Sequence, residues 1–151
     1  MAQSLSKLYV HIIFHIKNSC VHIRKVDQSR LYSYIGSIIK DNGSKPVIIN
    51  GTNNHVHILC VMSKNVCLAT LTEEIKRHSS RWIKTLDPYY SKFYWQGGYS
   101  GFSVSPAWVQ KTKMYIEEQE EHHKKRTFEE ELILFLKEYE IDFDQRHLFT
   151  D

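Results

Sequence analysis

Cysteine is scarce in this chain: Cys20, Cys60 and Cys67 are the only three, and no pair has Cys-x-x-Cys spacing. A disulfide framework or a cysteine zinc knuckle is therefore not expected, and a reducing cytoplasm is the expected compartment. Long apolar runs are missing too. Stretches such as Val56 to Met62 carry no acid, lysine or arginine but are far too short to cross a bilayer, so no membrane partner is expected. No N-terminal stretch joins a basic region, an apolar core and a small-residue cleavage site, which argues against export. Strong charge of one sign is also lacking. The 20 Lys+Arg against 17 Asp+Glu leave +3, only a mild hint of an anionic partner. No internal repeat or inter-domain linker is visible, so residues 1–151 read as a single domain. At 42% hydrophobic and 13% aromatic, the chain is neither a disordered tail nor a low-complexity linker. A chain of this length buries roughly 70% of the surface it exposes when unfolded.

Hydrophobic periodicity orders the elements. From Leu8 to Lys17 the parities separate, with Leu8, Val10, Ile12, Phe14 and Ile16 on one and Tyr9, His11, His15 and Lys17 on the other. That is a strand with one face on a core and one face open. Asp27 to Asn42 carries Leu31, Tyr34, Ile35, Ile38 and Ile39 at helical spacing and stops at Gly43. Pro46 to Ile49 reads as a strand, Asn50-Gly51 as a turn, and Asn54 to Met62 as a further strand. Thr70-Leu71-Thr72-Glu73 has the capping-box pattern and predicts a helix start, with Pro88 just past the helix end. A Tyr- and Gly-rich loop, Asp87 to Gly101, leads to a short strand, Phe102 to Ser105. Pro106, capped by Ser105, opens a helix expected to run to about Lys124, and a last helix is expected over Thr127 to Glu140. The order β-α-β-β-α-β predicts an α+β fold, a ferredoxin-like sandwich with an antiparallel sheet, followed by two appended helices (106–125 and 126–151).

Two motifs carry chemistry. His55-Val56-His57 sends both imidazoles to one strand face, a good start for a divalent-metal site. Nine histidines make such a pair common by chance, so the spacing alone does not distinguish ligands from ordinary strand histidines. Tyr115 and Gln119 stand four apart, which places them on one face of the helix after Pro106, and His122 and His123 extend that face by a turn. A Gln carbonyl is a hard oxygen ligand, and a phenol is a nucleophile once its proton is removed or its electrophile polarised. A tyrosine at helical spacing is, in isolation, more often packing. No paired carboxylates are placed to activate water for hydrolysis.

Taken in order, these motifs resemble the single-tyrosine HUH transposases of small bacterial insertion sequences and the related REP-associated tyrosine transposases. YVHIIFHIK (Tyr9 to Lys17) is similar to the family's first strand and NHVHILC (Asn54 to Cys60) to its metal-binding strand. KRHSSRWI (Lys76 to Ile83) resembles its second helix, and WQGGYSGFSVS (Trp95 to Ser105) its distinctive loop and strand. YIEEQEEHH (Tyr115 to His123) resembles the nucleophile helix, and Phe128 onward the acidic-apolar tail helix. Three positions depart from the pattern. Asn54 stands where Asp usually precedes the His pair, Glu118 where Asn is frequent, and Lys17-Asn18-Ser19 lacks the usual arginine.

The resemblance implies that Tyr115 is the nucleophile and that His55, His57 and Gln119 hold one magnesium or manganese ion. It implies attack on a DNA phosphate to give a 5′-phosphotyrosine link and a free 3′-hydroxyl, with later rejoining that needs no ATP. The implied partners are single-stranded DNA bearing hairpins and a second copy of the chain in a homodimer. By charge alone, Arg24, Lys25, Arg30, Lys76, Arg77, Arg81, Lys84, Lys111 and Lys113 are candidate phosphate contacts. Arg77 and Arg81 read equally well as partners of Glu73, and Tyr89, Tyr90, Phe93, Tyr94 and Trp95 as loop anchors rather than base-stacking rings. His11 and His15 share the open parity of the first strand, where the resemblance assigns them no role. The competing readings are a non-catalytic hairpin binder with the same fold and an RNA-binding sandwich. The latter expects stacking aromatics on the third strand, where this chain has histidines.

Overall fold

The computed structural model describes residues 2–150. Its strands are β1 (Leu8–His15), β2 (Lys45–Gly51), β3 (His55–Met62) and β4 (Ser100–Val104), and they form one antiparallel sheet in the order β2-β3-β1-β4. Helix α1 (Lys25–Asp41) joins β1 to β2, and α2 (Leu68–Ile83) joins β3 to β4. This is the ferredoxin-like topology read from the periodicity. Beyond β4 the chain forms α3 (Val109–Glu117), α4 (Gln119–His122), α5 (Phe128–Glu138) and α6 (Gln145–Leu148). No helix among the described residues is long and apolar enough to cross a membrane.

One parity of the central strands behaves as expected. Val10, Ile12 and Phe14 of β1, with Val56, Ile58 and Cys60 of β3, pack against Leu31, Ile35 and Ile39 of α1 and Leu71, Ile75 and Ile83 of α2. The other parity of β1, expected to be open, is covered: His11 and His15 are buried. The covering element is α5, whose Phe128, Leu132 and Leu136 close over Ile13 and Phe102. Each such side chain contributes about 1.5–3 kcal/mol by leaving water, which holds the helix on that face.

Several boundaries differ from the sequence reading for local reasons. Asn50 and Gly51 are not a turn but the end of β2, paired with His57 and Val56. A Cβ on Gly51 would lie 2.1 Å from the His55 carbonyl oxygen, so only glycine permits this approach. The reversal falls at residues 52–54 instead, where Thr52 N–H donates to His55 O at 3.2 Å. Helix α2 starts before the expected box, because the Cys67 sulfur accepts from Thr70 N–H at 3.4 Å. The three cysteines are thiols.

The single helix expected from Pro106 to Lys124 is broken. A 3-10 turn spans Pro106–Trp108, and at Glu118 (φ −99, ψ 25) the chain leaves α3 before resuming as α4. Asn50 supplies the reason: its Nδ2 donates to the carbonyls of Ile116 at 2.9 Å and Glu117 at 3.2 Å, satisfying the end of α3. Helix α5 is capped by Thr127, whose hydroxyl accepts from Glu130 N–H at 3.2 Å. It ends where Glu140 takes φ 55 and Ile141 N–H closes on Leu136 O at 2.9 Å. In the aromatic loop Tyr90, Phe93 and Trp95 are buried anchors. Tyr90 donates to Asp27 at 2.6 Å and Trp95 to Ser79 at 3.0 Å, while Tyr94 remains exposed.

Candidate active site

The rigid part of the site is β3. Its period sends His55 and His57 to the face covered by α3, α4 and α5, where both are fully buried. The Nε2 atoms point toward the helices. His55 Nε2 lies 3.0 Å from Gln119 Oε1, and His57 Nε2 lies 2.9 Å from Glu131 Oε1. Glu131 is the centre of the cluster. Its Oε1 is also 3.6 Å from His55 Nε2 and 3.2 Å from His123 Nε2. Its Oε2 accepts the Tyr115 hydroxyl and, at 3.3 Å, the Gln119 amide. Tyr115 and Gln119 thus still reach one point although the helix breaks between them.

Electrostatics follow from this packing. Burial pushes His55 well below its ordinary value, with His57 adding in the same sense, so the ring is neutral and ligand-ready. Burial alone would raise the Glu131 carboxyl, but hydrogen bonds from His123, His57 and Tyr115 hold it well below the usual carboxylate range. Burial and the Glu131 charge push the Tyr115 phenol far up, so it keeps its proton here. Around the cluster the Phe128 ring stacks on His55 at 4.4 Å and His122 stacks on Tyr115 at 4.6 Å.

A divalent cation fits these donors. Ligand atoms of His55, His57 and Glu131 all lie within 4.8 Å of one another. The His55 Nδ1 meets Asn54 Oδ1 at 2.8 Å. A neutral ring that donates there leaves a bare lone pair on Nε2, facing the Gln119 oxygen, and a cation relieves that opposition. Asn54 therefore orients His55.

The basic residues do not gather at this cluster. Lys111 alone among those expected lines a cavity of about 670 Å³ that reaches Tyr115, Glu131 and His11; Arg126 lines it too. Lys25 pairs with Glu120, Arg24 lies 3.7 Å from Asp87, and Arg77 pairs with Glu74 at 2.6 Å and Glu73 at 3.7 Å. Lys76 is tied to the carbonyls of Gln96 (2.6 Å) and Gly98 (2.9 Å). Arg30 lies over Trp82 and Lys84 over Tyr94, while Arg81 is exposed on α2 and Lys113 half-buried on α3. Glu131 was missed by sequence reasoning, which set His123 on the extended Tyr115 face but gave it no role. A signal for Glu131 existed: it shares the α5 stripe of Phe128, Leu132 and Phe135, where a carboxylate is out of place unless partnered.

A search of curated proteins finds none that matches. Among solved structures, a transposase candidate from Deinococcus radiodurans R1 is similar at 22% identity and TM-score 0.58, covering 79% of this chain and 98% of that one. A REP-associated tyrosine transposase bound to a REP hairpin is similar at 11% identity and TM-score 0.55, covering 85% of this chain and 74% of that one. At these identities the likeness establishes a common fold. The family model described as "Transposase IS200 like" matches residues 4–119, from before β1 through Gln119. The chain belongs to the IS200-like transposase family.

Proposed function

We propose that this transposase cleaves and rejoins single-stranded DNA at hairpin-marked ends through a 5′-phosphotyrosine on Tyr115. Magnesium or manganese would be held by His55, His57 and Gln119, with Glu131 Oε1 as a further ligand. The observation that carries the reading is the convergence of Tyr115, Gln119 and the His pair on one carboxylate. The REP-bound transposase of similar fold supports a hairpin as the recognised form.

The bound cation supplies Lewis-acid neutralisation of the scissile phosphate. Tyr115 Oη attacks phosphorus in line, a Tyr–O–P bond forms, and the bond to the 3′-oxygen breaks, leaving a 3′-hydroxyl. The phenolic proton passes by way of Glu131 Oε2, the atom it already contacts, to the departing 3′-oxygen, which leaves as the hydroxyl. A second 3′-hydroxyl reverses these steps and joins strands. Tyr115 and His57 meet on Glu131 of the same chain, so one copy holds a full set of these residues, and a dimer would bring two sets together for exchange. With His55, His57 and Gln119 fully buried, a phosphate enters only as α5 side chains yield, and the Lys111–Arg126 cavity is the approach.

The test is cleavage of 5′-labelled single-stranded oligonucleotides carrying the hairpin ends of the source element, with Mn²⁺ or Mg²⁺. The expected product is a shortened labelled strand whose 3′-hydroxyl a polymerase extends, absent without metal and absent in Tyr115→Phe. Hairpin binding with no cleavage in either metal would replace this reading with the non-catalytic binder.

A further inference from the structure

Two buried histidines of β1, His11 and His15, take no part in the function proposed above, and His11 touches a candidate ligand. His11 projects from β1 between Leu59 of β3 and Phe102 of β4, its register partners. It is 2% exposed. Its ring sits edge-on to Phe135 at 5.3 Å and to Phe102 at 6.2 Å, and its Nε2 lies 2.8 Å from His57 Nδ1. An imidazole buried among phenylalanines and aimed at the far nitrogen of a candidate ligand needs an account beyond packing.

We propose that His11 is a positioning residue that sets the tautomer of His57 and lets it switch when a divalent cation binds. The inference rests on the metal reading of His55 and His57 given above.

The two histidines of the pair are held differently. His55 Nδ1 faces Asn54 Oδ1 at 2.8 Å, an atom that only accepts, and Thr52 Oγ1 at 3.0 Å, whose hydroxyl donates to that same Asn54 oxygen at 3.1 Å; this fixes the proton on Nδ1 with Nε2 bare. His57 Nδ1 faces a ring nitrogen that donates or accepts according to where its own proton sits. Without a cation, His57 Nε2 lies 2.9 Å from the Glu131 carboxylate, which only accepts, so the His57 proton sits on Nε2. His57 Nδ1 is then an acceptor, and His11 donates to it from Nε2. With His57 Nε2 given over to a divalent cation, the His57 proton would sit on Nδ1. His11 Nε2 must now accept, so the His11 proton moves to its own Nδ1. The hydrogen bond between the two rings thus reverses by relocating the proton on each. Burial, followed by the neighbouring His57, pushes His11 well below its ordinary value, consistent with a ring that stays neutral in both states. An apolar side chain at 11 would leave the buried Nδ1–H of a metal-bound His57 with no acceptor, a cost that falls on the bound state.

The experiment is a Mn²⁺ titration of the full chain followed by the electron paramagnetic resonance of free Mn²⁺, comparing wild type, His11→Phe and His11→Gln. Phenylalanine keeps a ring between Phe102 and Phe135, and its Mn²⁺ affinity should fall about 10–100-fold. Glutamine offers an acceptor as well as a donor and should stay within about threefold of wild type. In parallel, ¹⁵N-imidazole spectra of wild type with and without saturating Mg²⁺ should show His57 Nδ1 gaining its proton while His11 Nε2 loses one. Wild-type affinity in His11→Phe, or an equal loss in both variants, would overturn the proposal. So would unchanged tautomers on Mg²⁺ binding, a result that decides the matter even where His11→Phe does not fold. A wild type that binds no Mn²⁺ overturns the metal reading itself and this inference with it.

Discussion

The two faces of the sheet are built from the same strands and buried to a similar degree, yet they are made of opposite chemistry. Against α1 and α2 lie Val10, Ile12, Phe14, Val56 and Ile58, an apolar layer whose only business is to exclude water. Against α3, α4 and α5 lie His11, His15, His55 and His57, with Gln119 and Glu131 above them. Burial on the first face is stabilising almost by itself. On the second it costs desolvation, offset because His55 is held by Asn54 and His57 and Glu131 hold each other. The difference teaches that depth alone does not separate core from site; the partners of the polar atoms do.

That contrast can be broken face by face. On the apolar face, Ile12→Ala removes a fully buried side chain and should cost about 2–5 kcal/mol in denaturant unfolding, with Mn²⁺ binding intact in the folded protein. On the polar face, Mn²⁺ at 100 times its dissociation constant should stabilise wild type by about 2.7 kcal/mol, a gain that His57→Asn abolishes and Ile12→Val keeps. An equal gain in His57→Asn would remove that residue from the ligand set.

Acid should act on the polar face alone. The unfolded chain takes protons at His11 and His55 as pH falls below about 6.5, while the folded chain keeps both neutral beside His57 and Glu131. Stability is therefore present above that pH and drains away below it, by up to about 1.4 kcal/mol per pH unit for each group. Glu131, facing His57, His123 and Tyr115, adds to the loss below about pH 4.5, where only the unfolded carboxyl is protonated. Melting temperature measured without metal should fall from pH 7.5 to pH 5 and more steeply below 4.5; a flat profile contradicts this electrostatic account. The smallest expected effect is Asn50→Ala, which strips the end of α3 of its donor and should cost about 1 kcal/mol, or about 2–4 °C in melting temperature.

Much of the fold and part of the site were legible in the chain. Period-two strands and amphipathic helices gave the sandwich, spacing placed His55 with His57 on one strand face and Tyr115 with Gln119 on one helix face, and only the family resemblance joined the two. The rest depended on contacts that local patterns do not encode. The break between Tyr115 and Gln119 is made by Asn50, 66 residues before Ile116. The cap of α2 is a sulfur, outside the usual capping side chains. Asn50-Gly51 looked like a turn because the close approach that requires glycine there lies across the hairpin, at His55. Glu131 was hidden by two neighbouring glutamates and by a helix that read as tail packing, and it lies beyond the stretch matched by the family model. The basic side chains were legible as charge but not as location, and Arg77 and Lys25 proved to be engaged by nearby carboxylates.

The most direct test of the central claim is to find where DNA becomes attached. Wild-type protein would be incubated with the hairpin-bearing single strand and Mn²⁺, denatured, digested with nuclease and protease, and its peptides weighed by mass spectrometry. The account predicts a nucleotide mass on the peptide carrying Tyr115, joined through a 5′-phosphate, and none in Tyr115→Phe. Attachment at another residue, or cleavage that proceeds in Tyr115→Phe, would contradict it.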